Sequence, residues 1–158
     1  MAQILEHDPE SLMCVDKSEL AIFNLNFTLL ENHPLKERVK TCILDITQGD
    51  YLKHHLSDFK PTIIFHAAAH KHVNLMEDQP DEALRNNFFA SIRLMELACE
   101  LSVDRFIFIS TDKAINPTSV MGVSKRLAEI AMQKIQIREG TRTKFMAVRF
   151  GNVLGSSG

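Results

Sequence analysis

Short apolar runs alternate with amphipathic segments along this chain, and this alternation restricts the fold more than any other feature. Each run is rich in β-branched or aromatic residues and is bounded by polar ones, which is typical of a buried strand. The runs cover residues 12–15, 39–44, 62–65, 105–109 and 144–150. Helical periodicity covers residues 19–32, 51–56, 81–101 and 119–138. The pattern predicts an α/β fold, a doubly wound parallel sheet with right-handed crossovers.

The run at residues 105–109 is followed by groups suited to acid–base chemistry. Thr111, Asp112 and Lys113 come next, and ligands bind outside the carboxyl ends of strands in open α/β sheets. Asp112 and Lys113 offer an acid and a base side by side. Lys125, four residues after Met121, can hold a ribose or lower a neighbour's pKa by its charge. The alternative is a capped turn, in which Thr111 or Asp112 satisfies backbone donors and the lysines are solvated.

Three stretches of the chain resemble one enzyme family. Residues 110–129 (STDKAINPTSVMGVSKRLAE), 64–73 (IFHAAAHKHV) and 147–158 (AVRFGNVLGSSG) resemble the nucleotide-sugar 4,6-dehydratases of the polysaccharide-biosynthesis family, within the extended short-chain dehydrogenases. The resemblance covers most of the chain from Asp16 onward and is nearly ungapped. Most members of that superfamily place a tyrosine where Met121 stands, whereas the only tyrosine here is Tyr51. The chain is similar to the branch that has methionine at that position.

The resemblance implies an NAD-dependent enzyme with a Rossmann-like fold. It would remove water from a UDP-N-acetylhexosamine such as UDP-N-acetylglucosamine, giving a 4-keto-6-deoxy sugar nucleotide for surface polysaccharide or glycan biosynthesis. Thr111 would bind the C4 oxygen, Lys113 would remove the C5 proton, and Asp112 would protonate the leaving C6 hydroxyl. Lys125 would hold the nicotinamide ribose, and Met121 leaves the C4 base open because a thioether cannot take a proton. Four further residues would contact the sugar nucleotide: His70, Lys71, Arg149 and Asn152.

Other residues are predicted to bind the cofactor. In a doubly wound fold an acidic residue after the second strand holds the adenosine ribose. Asp16 is placed for that role, although the sequence from Asp16 to Glu19 also resembles a capping box. By resemblance, Asp45 and Ile46 would meet the adenine. Three small residues leave room for the cofactor to approach the backbone, or else pack tightly between strand and loop: Ala67, Ala68 and Ala69.

The glycine-rich dinucleotide fingerprint is the part of this fold that we do not find in the sequence. It follows a first strand and lies ~20 residues before the acidic residue, yet no glycine precedes Gly49. That first strand is central in the usual order 3-2-1-4-5-6. We therefore expect residues 1–158 to form a partial NAD-binding domain, without the first strand, the glycine loop and the carboxyl-terminal substrate domain.

Two other functions fit the same sequence. A nucleotide-sugar epimerase or reductase on this fold would normally keep the tyrosine, and it has no need for the Asp112–Lys113 pair. The other is a truncated chain without catalytic activity. A gap in its sheet would expose strand edges, and such edges pair with another chain. We therefore expect a homo-oligomer, or poor solubility, for the chain as given.

Composition and charge argue against several other classes. A net charge of −2 provides no basic field for nucleic acid or an acidic membrane. No apolar stretch approaches the ~20 residues of a membrane span, although some relatives carry an amino-terminal membrane region, which leaves an anchor on the parent protein open. His66, His70 and His72 have loop spacing and no nearby cysteine, so we expect no metal. The odd number of cysteines predicts buried free thiols in a reducing, cytoplasmic compartment: Cys14, Cys42 and Cys99.

Overall fold

The computed structural model describes residues 1–153, apart from the side chain of Leu29. The last part of the family resemblance, residues 154–158, lies outside the described residues. The chain comprises two compact units, Met1–Gln48 and Gly49–Gly158. The extent of a single partial domain over residues 1–158 stays a prediction.

The first unit contains a pair of parallel strands. Its elements in order are helix α1 (Ala2–Leu5), strand β1 (Leu12–Asp16), helix α2 (Glu19–Leu25), a π-helical turn (Asn26–Leu30), a 3₁₀ turn (Lys36–Arg38) and strand β2 (Val39–Ile43). The strands pair in parallel from Leu12 opposite Val39 to Asp16 opposite Ile43. The helix predicted over residues 19–32 is thus α-helical only to Leu25 and continues as a π-helical turn.

The second unit contains a three-stranded parallel sheet in the order β3-β4-β5. Its elements are α3 (Gly49–Phe59), β3 (Ile63–His66), α4 (Val73–Asp78), α5 (Pro80–Ala83), a π-helical segment (Leu84–Phe89), α6 (Ala90–Glu100), β4 (Arg105–Thr111), a 3₁₀ turn (Asp112–Ala114), α7 (Val120–Gln136) and β5 (Lys144–Phe150). Helix α4 lies outside the helical segments predicted from the sequence. Strand β4 continues two residues beyond the predicted run, because Ser110 and Thr111 pair with Arg149 and Phe150 of β5.

The strand pairing matches two parts of the predicted order 3-2-1-4-5-6. The ladders β2–β1 and β3–β4–β5 correspond to positions 3-2 and 4-5-6 of that order. The prediction of an α/β fold built on parallel strands is confirmed.

The two faces of the second unit's sheet differ in their cover. Helix α7 packs against β4 and β5, and Phe106 and Phe108 on this side are fully buried. The opposite face carries apolar side chains that stay exposed, among them Phe65, Met146 and Phe150 at 54%, 42% and 44%. Parallel strands normally bury both faces, so this face has the composition of a packing surface.

Residues 1–153 show neither a membrane-spanning helix nor a metal-binding cluster. No helix in that range has the length and apolar character needed to cross a membrane. No group of three or more histidine, cysteine or acidic residues in the described chain is arranged to hold a metal ion. The three cysteines are free and half-buried: Cys14, Cys42 and Cys99.

Candidate active site

The carboxyl end of β4 brings four of the predicted site residues together. Thr111 ends the strand, and its Oγ1 accepts a hydrogen bond from the backbone N–H of Lys113 at 3.3 Å. Its hydroxyl donates to Asp112 Oδ1 at 3.1 Å. Lys113 Nζ donates to the same carboxylate oxygen at 3.2 Å and to Asn152 Oδ1 at 3.4 Å. Thr111 therefore caps the 3₁₀ turn, as the capped-turn interpretation expected, and at the same time orients an acid beside an amine.

The Asp112–Lys113 pair is open to solvent in this structure, with side chains 53% and 42% exposed. Hydrogen bonds from Lys113 and then from Thr111 lower the pKa of the Asp112 carboxyl. The Asp112 carboxylate therefore accepts hydrogen bonds from both of its neighbours in this turn, Thr111 and Lys113.

The start of α7 packs closely against the turn that carries this pair. Ser119 caps the helix by accepting from the Gly122 N–H at 3.1 Å, and the Val120 N–H donates to Glu77 Oε1 of α4 at 2.8 Å. A Cβ on Gly122 would clash with the backbone oxygen of Lys113. Gly122 is thus needed for the close approach of helix and turn. The sequence analysis missed this role, although the position of Gly122, three residues after Ser119, could have indicated it.

Lys125 lies in an environment quite different from that of Lys113. Its residue is 4% exposed, its Nζ donates to the Ile109 backbone oxygen at 2.6 Å, and the ammonium lies 3.9 Å from the centroid of the Phe108 ring. Burial lowers the pKa of Lys125 to about 8, while the Glu129 carboxylate acts in the opposite direction. The interpretation of both lysines as solvated is therefore wrong for Lys125.

Glu129 is a buried carboxylate that sequence reasoning did not single out. Its oxygens accept from Ser110 Oγ at 2.7 Å, from Arg149 Nε and Nη2 at 2.9 and 2.6 Å, and from Arg126 Nη1 at 3.0 Å. Burial acts to raise the pKa of Glu129, but hydrogen bonds from Arg149, Ser110 and Arg126 outweigh it and lower the pKa to about 2. The helical spacing could have indicated that Glu129 is buried, because it lies on one face of α7 with three other buried residues: Lys125, Ala128 and Met132.

Arg149, predicted to contact the sugar nucleotide, binds Glu129 through two of its N–H groups. The hydrogen bonds that the guanidinium donates to the Glu129 carboxylate raise the pKa of Arg149. A guanidinium has five N–H donors, so three remain for other partners, and its contact with a sugar nucleotide stays a prediction.

Met121 is 4% exposed and belongs to an apolar cluster with Met76 of α4 and Ala83 of α5. Its backbone oxygen accepts from the Ser124 hydroxyl at 2.8 Å. A buried thioether among apolar side chains provides no proton acceptor, in line with the sequence-based expectation.

The segment after β3 is held by Asn87, which is fully buried in the π-helical segment. Asn87 Oδ1 accepts from the His70 N–H at 2.8 Å, and its Nδ2 donates to the His70 backbone oxygen at 3.0 Å and to Ser124 Oγ at 3.2 Å. The His70 ring contacts Glu82 Oε1 at 3.1 Å. Asn87 therefore fixes the position of the His70 backbone relative to α7.

A second contact chain runs from His66, at the end of β3, to Asn87. Ser91 Oγ donates to the Asn87 backbone oxygen at 2.8 Å, so its single proton is used and it accepts from His66 Nε2 at 2.8 Å. This arrangement assigns the neutral Nε2–H tautomer to His66. Burial lowers the pKa of His66 to about 3, and the charge of Lys125 adds to this effect.

The remaining predicted residues of the second unit follow β3. Ala67 and Ala68 are exposed and Ala69 is half-buried, which does not support the tight-packing interpretation of these small residues. Lys71 is exposed.

Three predicted cofactor residues lie in the first unit. Asp16 Oδ1 accepts from the Ser18 N–H at 2.8 Å, and Ser18, not Asp16, caps α2 by accepting from Ala21 N–H at 3.2 Å. The capping interpretation of Asp16 is therefore wrong. Asp45 Oδ1 accepts from the Thr47 N–H at 2.8 Å, and Ile46 is buried. Their roles toward a cofactor stay predictions.

Comparison with known proteins gives a consistent family assignment. Residues 1–158 match the family described as "Polysaccharide biosynthesis protein". The chain is 40% identical to "Capsular polysaccharide biosynthesis protein CapD" of Staphylococcus aureus and 40% identical to "Probable polysaccharide biosynthesis protein EpsC" of Bacillus subtilis. Each match covers 99% of this chain and 26% of the relative. A UDP-glucose 4-epimerase of Rickettsia canadensis is 38% identical over 60% of this chain and 28% of its own length.

Solved structures show the same fold. The X-ray structure of Pen from Bacillus thuringiensis superposes with a TM-score of 0.90 at 30% identity, covering 99% of this chain and 48% of that one. A dTDP-glucose 4,6-dehydratase from Streptomyces venezuelae with NAD and DAU bound gives a TM-score of 0.76 at 18% identity, covering 92% and 47%. The chain thus spans about a quarter of the first two relatives and about half of these solved chains.

Proposed function

We propose that this chain, which belongs to the polysaccharide biosynthesis protein family, carries the acid–base residues of an NAD-dependent UDP-N-acetylhexosamine 4,6-dehydratase. The observation that carries the proposal is the Asp112–Lys113 pair at the end of β4, in contact with Thr111. Removing water across C5 and C6 needs a base for the C5 proton and an acid for the C6 oxygen. Epimerisation at C4 needs neither group, so an acid and an amine on consecutive residues favour dehydration.

The second unit offers groups that suit NAD. Lys125 has three N–H donors, of which one binds Ile109, so two are available for ribose hydroxyls. Exposed Ala67 and Ala68 carry only methyl groups, which lets a ligand approach the backbone. When bound, NAD supplies the reversible hydride transfer that this dehydration requires. In this proposal Asp16, Asp45 and Ile46 serve the adenosine end.

The proton count of the Asp112–Lys113 pair suits the reaction. Transfer of one proton from Lys113 Nζ to Asp112 Oδ1 converts the resting ion pair into a neutral amine and a carboxylic acid. A bound sugar that excludes water favours this neutral form, since desolvation disfavours charge. Lys113 then takes the C5 proton, Asp112 protonates the leaving C6 hydroxyl, and the pair returns to carboxylate and ammonium. Thr111 holds the C4 oxygen and orients Asp112 throughout.

The test uses the full-length product of the gene that encodes this chain, incubated with UDP-N-acetylglucosamine and NAD and followed by mass spectrometry. We expect a product lighter by one water molecule. Asp112→Asn should lower kcat by about 10²–10⁴-fold with little change in KM, because general acid catalysis is lost while shape is kept. Asp58→Asn, at an exposed position on α3, is the matched control and should keep wild-type turnover.

Two outcomes would contradict the proposal. Retained turnover in Asp112→Asn would remove the acid role from this residue. A product of unchanged mass with inverted C4 would support the epimerase alternative, which the 38% identity to a UDP-glucose 4-epimerase favours.

A further inference from the structure

The Glu129 carboxylate ties together the three elements that surround the proposed site. Its four hydrogen bonds come from Ser110 on β4, Arg149 on β5 and Arg126 on α7 itself. Ser110 and Arg149 are direct cross-strand partners, so one carboxylate holds adjacent positions of two strands. The residue is 2% exposed, and buried charges of this kind persist only when their partners satisfy them.

Lys125 lies one helical turn before Glu129, on the same buried face of α7. Lys125 binds the backbone oxygen of Ile109, and Glu129 binds the side chain of the next residue, Ser110. The two helix side chains therefore hold consecutive residues of β4, directly before Thr111.

We propose that Glu129 is a positioning residue for Lys125: clamped by Arg149, Ser110 and Arg126 one helical turn away, its fixed negative charge stabilises the buried ammonium that binds the end of β4. The Lys125 ammonium is taken out of water and packed against an aromatic ring. Without a nearby anion, that environment favours the neutral amine.

The charges around Lys125 come from several elements. Helix α7 contributes Glu129 and Arg126, and β5 contributes Arg149. Strand β3 contributes His66, whose buried ring is neutral and donates to Ser91. The turn after β4 contributes the mutually paired Asp112 and Lys113. Helices α4 and α5, which also pack on α7, contribute further carboxylates: Glu77, which accepts from the helix's first N–H, and Glu82, which binds His70 and Arg85.

Among these groups, Glu129 is the anion whose charge raises the pKa of Lys125 against the effect of burial. Only the catalytic use of this charge, in holding a ribose, rests on the proposed function. The ionisation of Lys125 itself can be measured on the 158-residue chain without cofactor or substrate.

The test is a titration of Lys125 by NMR on the chain labelled with [¹³Cε]-lysine, with the resonance identified by its absence in Lys125→Arg. The wild-type midpoint is expected at about pH 8. Glu129→Gln keeps the size of the side chain and removes the charge, so the midpoint should fall by about one pH unit. Arg126→Gln removes a cation from the same cluster, so the midpoint should rise. Arg138→Gln, at an exposed position after α7, is the matched control and should leave it unchanged.

The opposite signs separate positioning by charge from a loss of packing, since damaged packing would move both midpoints toward that of a solvated lysine. An unchanged or raised midpoint in Glu129→Gln overturns the proposal. If Glu129→Gln loses the dispersed amide spectrum of a folded chain, the Arg126→Gln titration decides, and absence of a rise there overturns it. Failure of dehydration in the full-length protein alongside the expected midpoints would count against the proposed function and not against this role of Glu129.

Discussion

Mild acid should destabilise the second unit through one residue, His66. Its ring is 3% exposed, lies against Phe106 and Phe108, and donates from Nε2 to Ser91. Protonating Nδ1 would place a cation in this apolar site, near the Lys125 ammonium. For this reason the pKa of His66 is lowered to about 3 in the folded chain.

The direction and size of this destabilisation follow from the difference between the pKa of His66 in the folded chain and its pKa in the unfolded chain. Because the folded pKa is below the unfolded value of ~6.5, the unfolded chain binds the proton first as pH falls. The contribution of neutral His66 to the free energy of unfolding is fully present above about pH 6.5 and is lost as pH falls toward about 3. At about pH 5 the expected loss is about 2 kcal/mol, since each pH unit below the unfolded pKa costs about 1.4 kcal/mol. Glu129 does not contribute in this interval, because its lowered pKa of about 2 affects stability only below its unfolded value of ~4.3.

Amide hydrogen exchange of the β4 segment, measured by mass spectrometry at about pH 7 and about pH 5 and corrected for intrinsic rates, reports the free energy of opening. His66→Gln is the matched variant, because it keeps an N–H donor for Ser91 and does not titrate in this range. The wild type should lose about 2 kcal/mol more between the two pH values than the variant. Equal losses would mean that His66 accepts a proton inside the fold and would refute the reasoning.

Two further predictions concern the start of α7. Gly122→Ala should destabilise the chain by about 1–3 kcal/mol in thermal denaturation, because its Cβ meets the rigid backbone oxygen of Lys113. Gly49→Ala is its control and should change stability far less, since its Cβ meets only the flexible Arg93 side chain; equal effects would contradict the role of the close approach. Ser119→Ala should cost about 1 kcal/mol through loss of the cap on the Gly122 N–H, and an unchanged melting temperature would show that another group takes over this donor.

The strands were predictable from the sequence because β-branched and aromatic runs have few alternatives to a buried strand. All five predicted runs are strands, and their ends differ from the prediction by at most two residues. Helix α4 was missed because it is six residues long, too short to show periodicity, and it is stabilised by packing of Met76 against Ala83 and Met121. Such long-range packing is not encoded in a local pattern.

The site was predictable to the extent that its residues are consecutive in the chain. Thr111, Asp112 and Lys113 are neighbours in sequence, so their contact follows from the end of one strand. The Glu129 clamp joins residues 20 positions apart, and nothing in the local sequence identifies Arg149 as the partner of Glu129. Only the parallel register that sets Ser110 opposite Arg149 shows that both reach the same face as Glu129.

Lys113, in the turn after β4, and Lys125, on α7, differ in what limits their movement, and this difference is in keeping with separate roles. Lys113 is exposed, and its contacts with Asp112 and Asn152 are at 3.2 and 3.4 Å, so its amine can exchange one partner for another. Lys125 is buried and held by a 2.6 Å hydrogen bond to the strand it faces. A group that must take a proton from a substrate has to move between partners, whereas a group that holds a ribose has to stay in place. In the proposed mechanism these contacts suit Lys113 to the role of base and Lys125 to that of fixed cation, and exchanging the two roles would require breaking the buried contact with Ile109.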